Sequence, residues 1–149
     1  MRLVKSNDPV LRRVAYELDV NDQSKLTEYY NVLAHYFYVE KGQRLLGCSL
    51  PQFGISARMC LCKLPNGPTA MVNPKIVFKF GFKLSQEGCE SLGGKKNQYI
   101  VRRPVIGFVT WFTEHGEKKH GFFTYKSMRI IQHEVDHLNG ILIDKGIKV

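Results

Sequence analysis

Gln132-His133-Glu134-Val135-Asp136-His137-Leu138-Asn139-Gly140 is the stretch from which the fold is read outward. Met128, Ile131, Val135 and Leu138 recur at helical spacing, which predicts a helix from about Tyr125 to Leu138 with Gly140 as its stop. On that helix His133 and His137 stand one turn apart on one face, beside the apolar stripe. Two imidazoles so placed can bind one metal ion, and Glu134 can act as general base toward a water activated there. Two solvent-exposed histidines on a charged helix are the plainer reading, but their place beside the buried stripe favours the metal site. An open catalytic site of this type uses three protein ligands. Downstream of His137 only Asp144 is available, so the third ligand is expected upstream. His35, His115, His120, the four cysteines and several carboxylates all qualify, and spacing alone does not choose between them.

Upstream, Leu26, Tyr30, Leu33 and Phe37 form a second helical stripe, which predicts a helix over residues 23–41. Asn21 or Asp22 caps its start and Gly42 ends it. Residues 1–20 read as irregular. Strands are predicted over 58–63, 69–72 and 75–82, separated by Pro65-Asn66-Gly67-Pro68 and by Asn73-Pro74. A hairpin is predicted from 105–112 and 119–124 around Glu114-His115-Gly116-Glu117. Together these elements predict one α+β domain over residues 1–149. Its antiparallel or mixed β-sheets pack around a C-terminal metal-binding helix, with an N-terminal helix in addition.

The chain has 149 residues, 44% hydrophobic and 23% charged, which excludes a disordered tail, a collagen-like chain or a coiled coil. No apolar run approaches the roughly 20 residues of a membrane helix, and no signal-peptide pattern opens the sequence. A soluble cytoplasmic monomer is therefore expected, or an organellar one if a transit peptide was removed. The net charge is +9. Its basic residues are spread out, in pairs such as Arg102-Arg103 and Lys118-Lys119, without any known nucleic-acid-binding spacing. A solvated basic surface is the favoured reading, and a weak ribosome or RNA contact through it is compatible with the charge. Cys48, Cys60, Cys62 and Cys89 are read as reduced thiols, with Cys60 and Cys62 on one face of a strand and filling the core.

Three segments resemble the peptide deformylases. Residues 132–140 match the family's QHExDHLxG, Gln86-Glu87-Gly88-Cys89-Glu90-Ser91 matches EGCxS, and residues 46–54 match GxGLAAxQ more loosely. Asp8-Pro9-Val10-Leu11-Arg12 resembles the family's start, so the likeness spans almost the whole chain. The short C-terminus is similar to compact, phage-like or organelle-like forms that lack the tail helix. The resemblance implies Cys89, His133 and His137 as ligands of one divalent ion. It implies Fe(2+) as the native metal, with Zn(2+), Ni(2+) or Co(2+) able to replace it. It also implies hydrolysis of the formyl group from N-formyl-methionyl nascent peptides, with Glu134 as general base and acid.

By the same resemblance, the Gln52 side chain and the Glu90 backbone N–H stabilise the developing oxyanion. Leu46, Gly47 and Gly88 pair with an extended substrate. From its place one turn before His133, Ile130 is read as lining the methionine pocket, with a core role as the equal alternative, and Arg129 is an unexpected neighbour of that pocket. Arg103 is expected to pair with Asp136. Leu45, Cys48, Ser49 and Leu50 depart from the first motif, and Glu90 replaces a leucine, which suggests a preference for basic residues after methionine. A zinc peptidase built on the same helix, or a non-catalytic basic RNA- or ribosome-binding module with a structural metal, are the alternatives. The first lacks a downstream ligand, and the second leaves Glu134 without a purpose.

Overall fold

The computed structural model describes residues 2–149. One antiparallel sheet carries the chain in the order β1 (Gly47–Ser49), β2 (Met59–Leu64), β3 (Gly67–Cys89), β4 (Gly94–Phe112) and β5 (Lys118–Thr124), with β6 (Ile147–Lys148) added beside β4. Each of these strand pairings is antiparallel, and a parallel pairing occurs only as an isolated bridge between Tyr16 and Ala57 among the described residues. Helix α1 (Gln23–Ala34) packs on one face of the sheet and α2 (Tyr125–Leu138) on the other.

Helix α1 starts where the Asp22 side chain accepts from the Lys25 N–H at 3.1 Å. The expected helix to residue 41 is present in two parts, because His35–Glu40 continues as π-helix. Leu26, Leu33 and Phe37 are fully buried against Met59, Leu61, Ala70 and Val72. On the other face Met128, Ile131 and Leu138 of α2 pack on Cys60, Cys62, Met71 and Val109. Full burial of each such side chain contributes about 1.5–3 kcal/mol. Cys60 and Cys62 point to that face together, their sulfurs 4.0 Å apart. The end of α2 is pinned, since the Leu138 carbonyl accepts from Arg58 Nη1 at 2.9 Å and from the Ala15 N–H at 2.8 Å.

The strands are longer than the sequence pattern suggests. Asn73-Pro74 does not separate two strands: β3 runs through it with a register shift between Val72 and Lys75. Asn73 takes a φ of 48°, and its side chain accepts from the Leu18 N–H at 2.9 Å and donates to the Leu18 carbonyl at 2.8 Å. The turn signal is real, but it produces a bulge held from outside the sheet. The β3/β4 ladder then continues through a second register shift between Ile76 and Phe78 to a third at Gly88/Cys89. That shift ends the strand with Cys89 directed at α2.

Candidate metal centre

The sulfur of Cys89 and one ring nitrogen each from His133 and His137 lie within 4.8 Å of one another. Cys89 Sγ is 3.3 Å from His137 Nε2. The helix supplies both imidazoles from one face, and the bulge at the end of β3 supplies the thiol. A thiol and two imidazoles form a donor set suited to a borderline divalent ion. Their convergence in a largely buried pocket, with the Glu134 carboxyl beside them, fits such an ion.

A carboxylate orients this group. Glu87, only 3% exposed, accepts two hydrogen bonds from one guanidinium: Arg103 Nη2 donates to Oε1 at 2.7 Å and Arg103 Nε to Oε2 at 2.9 Å. Its Oε1 also lies 2.9 Å from His133 Nδ1. That contact fixes the His133 ring and leaves its other nitrogen for the centre. Arg103 Nη1 donates to Asp136 Oδ2 at 2.7 Å, as expected from the sequence, and Gln132 Nε2 donates to Asp136 Oδ1 at 2.8 Å. Burial raises the Glu87 carboxyl, yet hydrogen bonds from Arg103 and His133 outweigh it and hold it at about 2. Burial lowers the His133 imidazole, but its hydrogen bonds to Cys89 and Glu87 outweigh that and raise it to about 10. Burial pushes the His137 imidazole well below its ordinary value, and the nearby His133 and Arg103 charges push it the same way.

Glu134 is 4% exposed, and its Oε1 has no hydrogen-bond partner. Burial pushes its carboxyl up to about 7, with His133 and Arg103 opposing. A group held there exists in both protonation states near neutral pH, as proton transfer in both directions requires. Strand β1 passes close by. A Cβ at Gly47 would stand 2.7 Å from Glu134 Oε2 and 2.8 Å from the Leu61 carbonyl, so only glycine fits. Gly88 is equally constrained, with the Gly94 carbonyl 2.7 Å from the position of its missing Cβ.

Gln52 is 4% exposed. Its Oε1 accepts from the Ser49 N–H at 2.9 Å, and its Nε2 donates to Ser91 Oγ at 3.0 Å. The first bond fixes which end of the amide is the donor. The cleft of about 270 Å³ in front of these groups is lined by Gln52, Cys89, Ile130, His133 and Glu134. Leu46, Gly47, Gly88, Glu90 and Arg129 line it too, so every site residue expected from the sequence reaches it except His137, which lies behind.

The Glu90 carboxylate lies 3.7 Å from Lys41 Nζ, and Arg44 and Lys95 line the same cleft. Two contributors were missed. Glu87 had no assigned role, because its link to Arg103 and His133 depends on strand register and helix docking together. Ser91 had none, because it acts only through Gln52. The one available signal was that Glu87 lies two residues before Cys89 and so shares its side of a regular strand.

The chain matches the Polypeptide deformylase family over residues 1–148. It is 33% identical to a peptide deformylase of Alkaliphilus metalliredigens, covering 99% of this chain and 98% of that one. A Clostridium botulinum peptide deformylase is 32% identical, with 97% and 95% covered. Among solved structures, the actinonin-bound class I type b peptide deformylase of Acinetobacter baumannii superposes with a TM-score of 0.85 at 29% identity, covering 99% and 97%. The Met-Ala-Ser-bound form of that enzyme gives 0.84 at 29%, covering 99% and 98%.

Proposed function

The chain belongs to the polypeptide deformylase family, and from that premise we propose that Cys89, His133 and His137 hold the one divalent ion this activity needs. The protein is a peptide deformylase: it hydrolyses the N-formyl amide of a peptide, releasing formate and a free α-amino group. The single observation that carries the residue assignment is the convergence of the three donors beside the buried, unpartnered Glu134 carboxyl. Bound there, the ion supplies Lewis acidity that lowers the pKa of a water.

The chain's own residues do the rest. Glu134 takes a proton from the attacking water and gives it to the departing amine nitrogen. Gln52 Nε2 and the Glu90 backbone N–H donate to the oxygen of the former carbonyl as its charge grows. Leu46, Gly47 and Gly88 offer backbone to an extended peptide, and glycine lets that peptide come close. Ile130 and the stem of Arg129 wall the methionine side chain. Fe(2+) is the native ion in this reading, with Zn(2+), Ni(2+) or Co(2+) as substitutes, and formyl-methionyl nascent chains are the substrate. No helix among the described residues is long and apolar enough to cross a membrane.

The assay is formate release from formyl-Met-Ala-Ser by anaerobically prepared protein. Formate with the peptide bonds intact is the expected result; cleavage of an internal peptide bond instead would place the chain with zinc peptidases. In the same assay Gln52→Ala lowers kcat by about 10²–10³-fold with little change in metal content, because one oxyanion donor is lost.

A further inference from the structure

On the face of the sheet that α1 covers at Val72 and Phe112, cover stops, and the stretch that carries Phe78, Phe80 and Phe82 of β3, Ile106 of β4 and Phe122 of β5 is exposed. Phe78, Phe80 and Phe82 of β3 stand there, opposite Phe108, Ile106 and Pro104 of β4, and Phe108 is in turn opposite Phe122 of β5. Residues opposite each other in a ladder share a face, so these rings form one platform. Phe80 is 68% exposed and Phe122 71%. Successive rings along β3 are about 7 Å apart, two strand residues. A patch of this kind on a soluble domain marks an interaction surface.

Its charge says what it meets. From Lys75 to Gln86, throughout β4 and through β5 there are nine Lys and Arg and no Asp or Glu. All but Arg103, which is engaged with Glu87, are exposed. The Arg102 guanidinium lies 3.8 Å from the centre of the Phe82 ring, so a planar group already stacks on this platform. A second copy of the chain is disfavoured as occupant, because two such cationic faces repel. An anionic membrane would favour interfacial Trp or Tyr in place of these Phe residues. Exposed rings in a strand row, flanked by cations and free of carboxylates, fit a flexible polyanion whose units have flat π faces.

We propose that this face binds single-stranded RNA, with bases stacked on Phe80, Phe82 and Phe122 and the phosphates drawn by Arg102 and the neighbouring lysines. It lies apart from the cleft that holds Cys89, so RNA binding and deformylation are separable.

The test is fluorescence anisotropy of a labelled single-stranded RNA of about 12 nucleotides, titrated with the full chain at about 50 and about 200 mM salt. Binding that weakens with salt is expected. Phe80→Ala/Phe122→Ala weakens it at least about ten-fold with formate release unchanged, since stacking is lost at two bases. Arg102→Gln weakens it and flattens the salt dependence. Absence of binding at low salt overturns the proposal. So does binding lost in Arg102→Gln but unchanged in the double Phe variant, which is adsorption by charge alone, and so does equal affinity for the duplex form. Vesicles of anionic lipid captured by the wild type and not by the double variant, with RNA ignored, give the face to a membrane. Sedimentation as a dimer that the double variant abolishes, again with RNA ignored, gives it to a second copy.

Discussion

Glu134→Ala lowers formate release from formyl-Met-Ala-Ser by about 10²–10⁴-fold, the ordinary contribution of a positioned acid–base group. The loss falls on kcat, because Glu134 handles protons and does not hold the peptide. Metal content stays at the wild-type level, since the three donors are elsewhere. The fold also survives. Glu134 is 4% exposed and its Oε1 has no partner, so the alanine variant gives up little hydrogen bonding and no longer desolvates a carboxyl. Glu134→Gln keeps the volume without the proton-accepting oxygen pair and is slow as well. Wild-type rates in either variant, with metal retained, would remove Glu134 from the chemistry.

Arg103→Ala destabilises the protein by about 3–5 kcal/mol, read as a fall in the urea midpoint at unchanged m. Arg103 is 4% exposed and serves two carboxylates, Glu87 through two nitrogens and Asp136 through the third. Removing it leaves Glu87, 3% exposed, with only the half-exposed Arg129, its Nε 3.4 Å from Oε2, in place of a buried two-point ion pair. Glu87 in turn orients His133, so metal retention falls along with stability. Arg103→Lys rescues only partly, because an ammonium does not reproduce the planar two-point contact. The exposed Arg12–Asp144 pair is the control: it is equally short, at 2.7 Å, yet its loss costs at most about 1 kcal/mol. Unchanged stability and metal content in Arg103→Ala would reduce its network to surface decoration.

These two residues also separate what sequence can carry from what it cannot. His133, Glu134 and His137 lie within five consecutive residues on one helix, and a local period places them. Cys89 is 44 residues from His133 in the chain, and no spacing rule links them; the family resemblance did. Glu87 was invisible for a deeper reason. Its role needs β3 and β4 in register, so that Arg103 comes beside it, and α2 docked across both, so that His133 and Asp136 do too. Nothing local shows that Ser49 and Ser91 enclose the Gln52 amide. The strand break read at Asn73-Pro74 went the other way. A correct turn signal was absorbed as a bulge, because Leu18, 55 residues away in sequence, satisfies the Asn73 side chain.

In the proposed function one divalent ion, held by Cys89, His133 and His137, makes this chain a deformylase. Titrating Fe(2+) anaerobically into metal-stripped protein while following formate release tests it most directly. Activity absent before addition, rising linearly to a plateau at one ion per chain, and absent throughout in Cys89→Ala is the predicted result. Full formate release from the stripped protein, or a Cys89→Ala variant that reaches the wild-type plateau at the same stoichiometry, would contradict it.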